Sequence, residues 1–282
     1  EQLLVAEGDL STKRNAFLML QHCDQDKALQ YLLSMQSELD SMGDIFQLSS
    51  LELVRKVSRM NPSVKPKMLR IIFDLVNSPT TAVTYECAST LVALSNNPVA
   101  VSAATKAYVK LLTTQADNNV KLIVLDRLAE IRKHHRVVIE KHLMDIMRGL
   151  ASPSLAVRKK VFEICLSGSM VHSRNVGDIV AVLKKELVKT GDVEQQTVEG
   201  NSEYRRLLIK NLHMVTARFS DHASSVMYLM MDLLTESDSL AALDVITFLR
   251  DILSNHSNLQ QEVITRLVER IPEMSTSRVL RG

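Results

Sequence analysis

The feature that most constrains this chain is a motif that recurs at a fixed interval. Ser78-Pro79-x-x-x-Val83 and Ser152-Pro153-x-x-x-Val157 share one frame, and Asp117-Asn118-Asn119-Val120 lies midway between them. The three valines therefore stand 37 residues apart, an interval typical of proteins built from structural repeats. Extended along the chain, the register runs through Thr12, Leu48, Val83, Val120, Val157, Tyr204, Leu240 and Ser277.

Each interval has room for two helices joined by short turns. From Asn119 to His134, apolar residues recur every three or four positions, as they do on one face of an α-helix. Breaks such as Asn61-Pro62 and Asn97-Pro98 separate stretches of this kind, and Asp117 is placed to cap the helix that follows it. With 8 Gly, 6 Pro and no Trp in 282 residues, the composition also favours helices over β-structure.

These features predict an all-α fold, an α-solenoid of HEAT or armadillo type with about seven to eight helix pairs. Tetratricopeptide and ankyrin repeats match less well because their motifs are absent. We interpret residues 1–282 as one solenoid segment with a polar loop inserted near 190–201, where one interval is about ten residues longer. Stacked pairs predict an elongated protein with a concave surface for other proteins, and Val124 and Leu128 are expected to face inward.

The net charge, the apolar runs and the cysteine count exclude several classes of protein. A formal net charge of +2 from 34 basic and 32 acidic side chains lacks the basic excess of a dedicated nucleic-acid binder. No apolar run reaches the roughly 18 residues of a membrane span. Cys23, Cys87 and Cys165 are too sparse for a disulfide framework, so we expect small core residues in a reducing cytosolic compartment. The chain opens at Glu1 within an apolar stretch, and we expect it to be part of a longer protein.

A search for catalytic chemistry favours a protein that is not an enzyme. Phosphate-binding loops, dinucleotide fingerprints, serine-hydrolase elbows and zincin helices are all missing, and we predict no cofactor. The cluster of His134, His135 and His142 is interpreted as a solvated turn, because flanking basic residues repel a cation and no carboxylate or thiol completes a ligand set. The methionines at 227, 230 and 231 are interpreted as core filling.

Basic residues recur near the start of one helix in each repeat. They allow two interpretations: pairing with turn carboxylates as a structural ladder between repeats, or a basic strip along the concave face that receives an acidic partner. We lean toward structure for Arg158 and toward a partner for Arg206. The candidate partner-binding residues are Arg158, Lys159, Lys160, Arg205 and Arg206, and Lys13, Arg14 and Lys121 share their place in the frame.

Several stretches resemble the coatomer beta-subunit family. They are Lys13 to Leu20 (KRNAFLML), Asp117 to Leu128 (DNNVKLIVLDRL), Val157 to Lys160 (VRKK), Ser173 to Val176 (SRNV) and Val182 to Thr190 (VLKKELVKT). They occur in family order across nearly the whole chain. The run of twelve is the most specific, since helical periodicity would fix only about half of its letters.

The resemblance implies an adaptin-like trunk in a vesicle coat for Golgi-to-endoplasmic-reticulum and intra-Golgi transport. It also implies pairing with the coatomer delta subunit and a cytoplasmic location, peripheral on Golgi and coated-vesicle membranes. Recruitment by an Arf-family GTPase would use parts of the trunk outside this segment, so no Arf-binding residue is assigned. The alternatives are a clathrin-adaptor large chain or a nuclear-import receptor, and the lack of Trp argues against the receptor.

Overall fold

The computed structural model describes residues 2–167, 170–190, 198–234, 239–255 and 257–270. Every regular element within these ranges is a helix. The chain divides into two compact units, Glu1–Leu143 and Met144–Gly282.

In the first unit, helices pack pairwise and each pair contacts the next. α2 packs on α3, α4 on α5, α6 on α7, and α8 on both α7 and α9, while α4 also contacts α2 and α6. Short 3₁₀ turns at Gln36–Ser41 and Pro62–Val64 precede α4 and α5. The helices are α1 Gln2–Ala6, α2 Leu10–Cys23, α3 Gln25–Ser34, α4 Asp44–Met60, α5 Lys65–Leu75, α6 Thr81–Leu94, α7 Pro98–Thr114, α8 Asn118–His134 and α9 Arg136–Lys141, with α10 Leu143–Met147 at the boundary between the units.

The second unit repeats this arrangement with fewer pairs. α13 packs against α11, α12, α14 and α15, which makes it the central helix of the described part of this unit. A 3₁₀ turn at Arg148–Ala151 contacts α11, and another at Ser220–His222 leads into α14. The helices are α11 Leu155–Cys165, α12 Val176–Lys189, α13 Val198–Arg218, α14 Ala223–Leu233, α15 Ser239–Asn255 and α16 Ser257–Arg270.

The repeat register predicted from the sequence coincides with the observed helices. The seven register positions from Thr12 to Leu240 fall on α2, α4, α6, α8, α11, α13 and α15, each of which is followed along the chain by a second helix. Seven helix pairs therefore occur in the described ranges, and the prediction of a helical-repeat fold is confirmed. Ser277 lies outside the described residues. That residues 1–282 form a single solenoid segment remains a prediction.

The helix boundaries follow the capping chemistry of the breaks. Asp117 Oδ1 accepts a hydrogen bond from the Asn119 amide at 2.8 Å, which confirms its predicted role as the N-cap of α8. Asn97 caps α7 in the same way, with Pro98 as the first helical residue. Before α4, Gly43 adopts φ 77° and ψ 158°, a region that side chains other than glycine rarely occupy.

Most predicted core residues are buried. Val124 and Leu128 are 0% exposed, and Met227, Met230 and Met231 are buried in α14, as predicted. Cys87 and Cys165 are also buried, and burial raises the pKa of the Cys87 thiol to about 12. The core assignment of Cys23 is wrong, because this thiol is exposed. Cys23 is the last residue of α2, where the chain turns into α3. Its side chain lies on the face opposite the buried Phe17 and Gln21.

The inserted loop predicted near 190–201 is only partly visible. Residues 191–197 lie outside those described, so most of the prediction remains untested. At its C-terminal end the prediction is wrong, since Val198–Asn201 form the first turn of α13. The Asn201 Nδ2 donates to the Thr190 carbonyl at 3.2 Å, which ties the start of α13 to the end of α12. Among the described helices, none combines the length and apolar character that a membrane crossing requires.

Candidate partner-binding face

In the first unit, polar contacts join α4, α6 and α8, the helices that carry the repeat register. Arg55 Nη1 on α4 lies 2.7 Å from Glu86 Oε2 on α6, and both side chains are partly buried. Arg127 Nε on α8 donates to the Tyr85 hydroxyl on α6 at 2.9 Å. That hydrogen bond raises the pKa of Arg127, so the guanidinium stays charged. Each contact therefore bridges two neighbouring repeats.

The second unit continues the pattern with two of the predicted residues. Lys159 Nζ on α11 pairs with Glu203 Oε1 on α13, and Arg206 Nε on α13 lies 2.8 Å from Asp244 Oδ2 on α15. His213 Nε2 lies 3.3 Å from Asp251 Oδ2, also between α13 and α15. These contacts favour the ladder interpretation for Lys159 and Arg206. Their carboxylate partners lie on helices, however, and not in turns as predicted.

The ion pairs between repeats share one direction. In the four pairs Arg55–Glu86, Lys159–Glu203, Arg206–Asp244 and His213–Asp251, the basic residue lies on the earlier helix and the carboxylate on the later one. Exposed pairs of this kind contribute only about 0–1 kcal/mol each to stability. Each pair therefore joins the first helix of one repeat to the first helix of the next.

Arg158 differs from its neighbours because it is buried. Its Nε donates to the carbonyls of Leu150 at 3.2 Å and Ser152 at 2.6 Å, and its guanidinium carbon lies 4.0 Å from the centroid of the Tyr204 ring. At 7% exposure, Arg158 offers little surface to another protein. Its contacts lie within the fold and support the structural alternative for this residue.

Tyr204 extends this internal contact to α12. Its hydroxyl donates to Glu186 Oε2 at 3.3 Å, and its ring stacks against Phe162 with centroids 6.3 Å apart. Burial, together with the Glu186 charge, raises the pKa of Tyr204 well above its usual range, so the phenol stays protonated as a donor. The Arg158–Tyr204–Glu186 chain thus connects α11, α13 and α12.

The remaining predicted basic residues are dispersed. Lys160 Nζ lies 3.3 Å from Glu163 Oε2 on its own helix, and Arg205 is half-buried. Lys13, Arg14 and Lys121 are half-buried near the starts of α2 and α8. A continuous basic strip formed by the five candidate residues therefore stays a prediction.

A groove runs along α13 beside two of the candidate residues. It has a volume of about 430 Å³, within the range of small-ligand sites. Most of its lining residues were not predicted, although the spacing of Glu203, Arg206, Lys210 and His213 is that of one face of a helix. The lining consists of Lys159, Glu203, Arg206, Leu207, Ile209, Lys210, His213, Asp244 and Thr247.

No cluster of three histidine, cysteine, aspartate or glutamate side chains that could hold a metal ion occurs in the described part of the chain. The predicted solvated turn at His134 and His135 joins α8 directly to α9, and His142 Nε2 lies 3.3 Å from Ser102 Oγ. The charged and aliphatic side chains that line the groove can form ion pairs and cover apolar surface.

Paired helices in register, joined by polar contacts from one repeat to the next, define a helical-repeat protein of the α-solenoid class. The chain belongs to the family described as the Adaptin N terminal region, which matches residues 1–282.

Its relatives include coatomer subunits from animals, plants and a protist. The chain is 43% identical over 281 residues to "Coatomer subunit beta" of Rattus norvegicus, covering 99% of this chain and 29% of that protein. It is 43% identical to "Coatomer subunit beta-2" of Oryza sativa subsp. japonica, with the same coverage of both chains. It is 42% identical to "Coatomer subunit beta" of Toxoplasma gondii, covering 100% of this chain and 26% of that protein. The chain thus spans less than a third of the relatives' length.

Proposed function

We propose that this chain is a trunk segment of a vesicle-coat subunit, with a scaffolding and not an enzymatic role. The observation that carries the proposal is the identity of 41–43% to coatomer beta subunits from a rat, a fly and a plant, which extends over 99% of the chain. The fold supports it, because repeats that bury their apolar faces against each other leave a long surface free for other proteins.

The proposed partners are other coatomer subunits, with the delta subunit as the direct contact. An Arf-family GTPase would act through parts of the trunk outside this chain. The protein would then be cytoplasmic and peripheral on Golgi and coated-vesicle membranes, supporting Golgi-to-endoplasmic-reticulum and intra-Golgi transport. The exposed cations Lys159 and Arg206 are the residues proposed to meet a partner, although each also pairs with a carboxylate.

Co-expression with the coatomer delta subunit of the same organism tests this function. We expect the tagged chain to retain the delta subunit, and not a clathrin-adaptor medium chain, after washing. Capture steered by exposed charges should decline as added salt shortens the Debye length from about 10 Å toward 3 Å. Retention of the clathrin-adaptor chain in its place would favour the alternative of a clathrin-adaptor large chain.

The double variant Lys159→Glu/Arg206→Glu separates the two roles of these cations. If they serve a partner and not the ladder, capture falls while melting is nearly unchanged. If they serve only the ladder, the melting temperature falls and binding is lost only with the fold. Normal capture together with normal melting would exclude both roles.

A further inference from the structure

We propose that the groove between α13 and α15 binds an acidic linear segment of a partner protein, with Lys210 as the central contact. The proposal stands on the charges and dimensions of the groove and does not depend on the coat function proposed above. The occupant is a run of Glu or Asp side chains in an extended backbone.

The positive charge of Lys210 is uncompensated in the groove. The side chain is exposed, and within the described ranges no carboxylate lies within 4.0 Å of its ammonium group. Lys159 and Arg206, by contrast, have Glu203 and Asp244. Lys210 also follows Arg206 by four positions, and like charges at this spacing on a helix repel each other. A bound carboxylate would reverse that repulsion.

The dimensions of the charged stripe suit a short extended segment. Glu203, Arg206, Lys210 and His213 share one face of α13 at spacings of three, four and three residues. Ten residues of α-helix rise about 15 Å, a length that four or five extended residues cover at about 3.3 Å each. The segment would therefore present two or three side chains to the stripe, since alternate side chains of an extended chain share one face.

The composition of the groove favours an acidic peptide over other anions. Four basic side chains and two carboxylates line it, together with the apolar Leu207 and Ile209, which suits a peptide with both charged and apolar atoms. No aromatic side chain lines the groove, so it lacks the stacking surface typical of single-stranded nucleic-acid sites.

Fluorescence anisotropy with fluorescein-labelled hexaglutamate tests the proposal on the whole 282-residue chain. We expect saturable binding at low salt, no binding of hexaglutamine, and at least about tenfold weaker binding to Lys210→Glu. Lys185→Glu is the matched control, because Lys185 is an exposed lysine on α12 outside the groove. It should bind hexaglutamate within about twofold of the parent.

Thermal unfolding and crosslinking provide two further tests of the proposal. Lys210→Glu should melt within about two degrees of the parent, since an exposed side chain changes stability little. A benzophenone-bearing hexaglutamate should crosslink to α13 and α15. Equal loss in both charge variants, absence of saturable binding up to about 1 mM, or crosslinks elsewhere would overturn the proposal. So would stronger binding by oligothymidine or by phosphatidylserine-containing vesicles.

Discussion

The guanidinium carbon of Arg158 lies 4.0 Å from the centroid of the Tyr204 ring, in a contact that joins α11 to α13. Arg158→Leu should lower the free energy of unfolding by about 2–4 kcal/mol, because two buried carbonyls lose their donor along with the cation–π contact. Urea unfolding measures this. Lys159→Leu, at the exposed neighbouring position, should change stability by less than about 1 kcal/mol. Similar effects at both positions would contradict the structural role of Arg158.

The interior of α8 provides a test of the repeat register. Leu128→Asp should place an unpaired charge at a side chain that is 0% exposed, and it should destabilise the protein by several kcal/mol or unfold it. Ile123→Asp makes the same change at a side chain on α8 that is 50% exposed, and it should change the melting temperature little. Circular dichroism distinguishes the two. A Leu128→Asp protein that melts with the parent would show that the register of α8 is wrong.

A substitution at Gly43 tests the backbone conformation before α4. Its φ of 77° with ψ of 158° lies in a region nearly restricted to glycine, so Gly43→Ala should lower the free energy of unfolding by about 1–3 kcal/mol. A Cβ at either Gly43 or Gly8 would meet no atom within 4 Å, which excludes a clash as the cause. Gly8→Ala, without a positive φ, should be neutral or slightly stabilising. Equal effects of the two changes on thermal unfolding would rule out backbone strain at Gly43.

A charge exchange tests the ion pair between α13 and α15. Arg206→Asp should place two carboxylates side by side and lower the free energy of unfolding modestly, by about 1 kcal/mol or less, since both partners are partly exposed. Adding Asp244→Arg should restore most of that loss by re-forming the pair in the opposite direction. A double-mutant cycle in urea measures the coupling. A coupling energy of zero would mean that the contact is geometrically close but energetically neutral.

The thiols should react in an order set by burial. Cys23 is exposed, whereas Cys87 and Cys165 are buried, and the pKa of Cys87 is raised to about 12 by burial. At pH 8, iodoacetamide should therefore add once to the folded protein at Cys23, because Cys87 is almost wholly protonated and covered. Peptide mass spectrometry after labelling identifies the site. Labelling of Cys87 in folded protein at the rate of Cys23 would contradict its burial.

The helices could be predicted from the sequence because their signals are local. The cap at Asp117 and the apolar spacing that buries Leu128 depend on residues a few positions apart. The position of Cys23 could not be predicted, because the apolar run from Ala16 to Leu20 spans more than one turn of α2 and so marks no single buried face. The partners of Lys159 and Arg206 could not be predicted either. Glu203 and Asp244 are 44 and 38 residues away, and only folding places them nearby.

The groove depends even more on tertiary structure. Its lining comes from three helices, of which only α13 carries a recognisable stripe in the sequence. The burial of Arg158 could not be predicted from the sequence either. Its neighbours Lys159 and Lys160 are also basic, and a difference of one position on a helix turns the side chain by about 100°.

The direction of its ion pairs gives α13 two unlike sides. It offers the carboxylate of Glu203 to Lys159 on α11 before it and the cation of Arg206 to Asp244 on α15 after it. A fragment cut between two such helices would expose cations at one cut surface or carboxylates at the other. Like surfaces would repel and unlike surfaces would attract, so such fragments should polymerise head to tail and not pair as two-fold dimers.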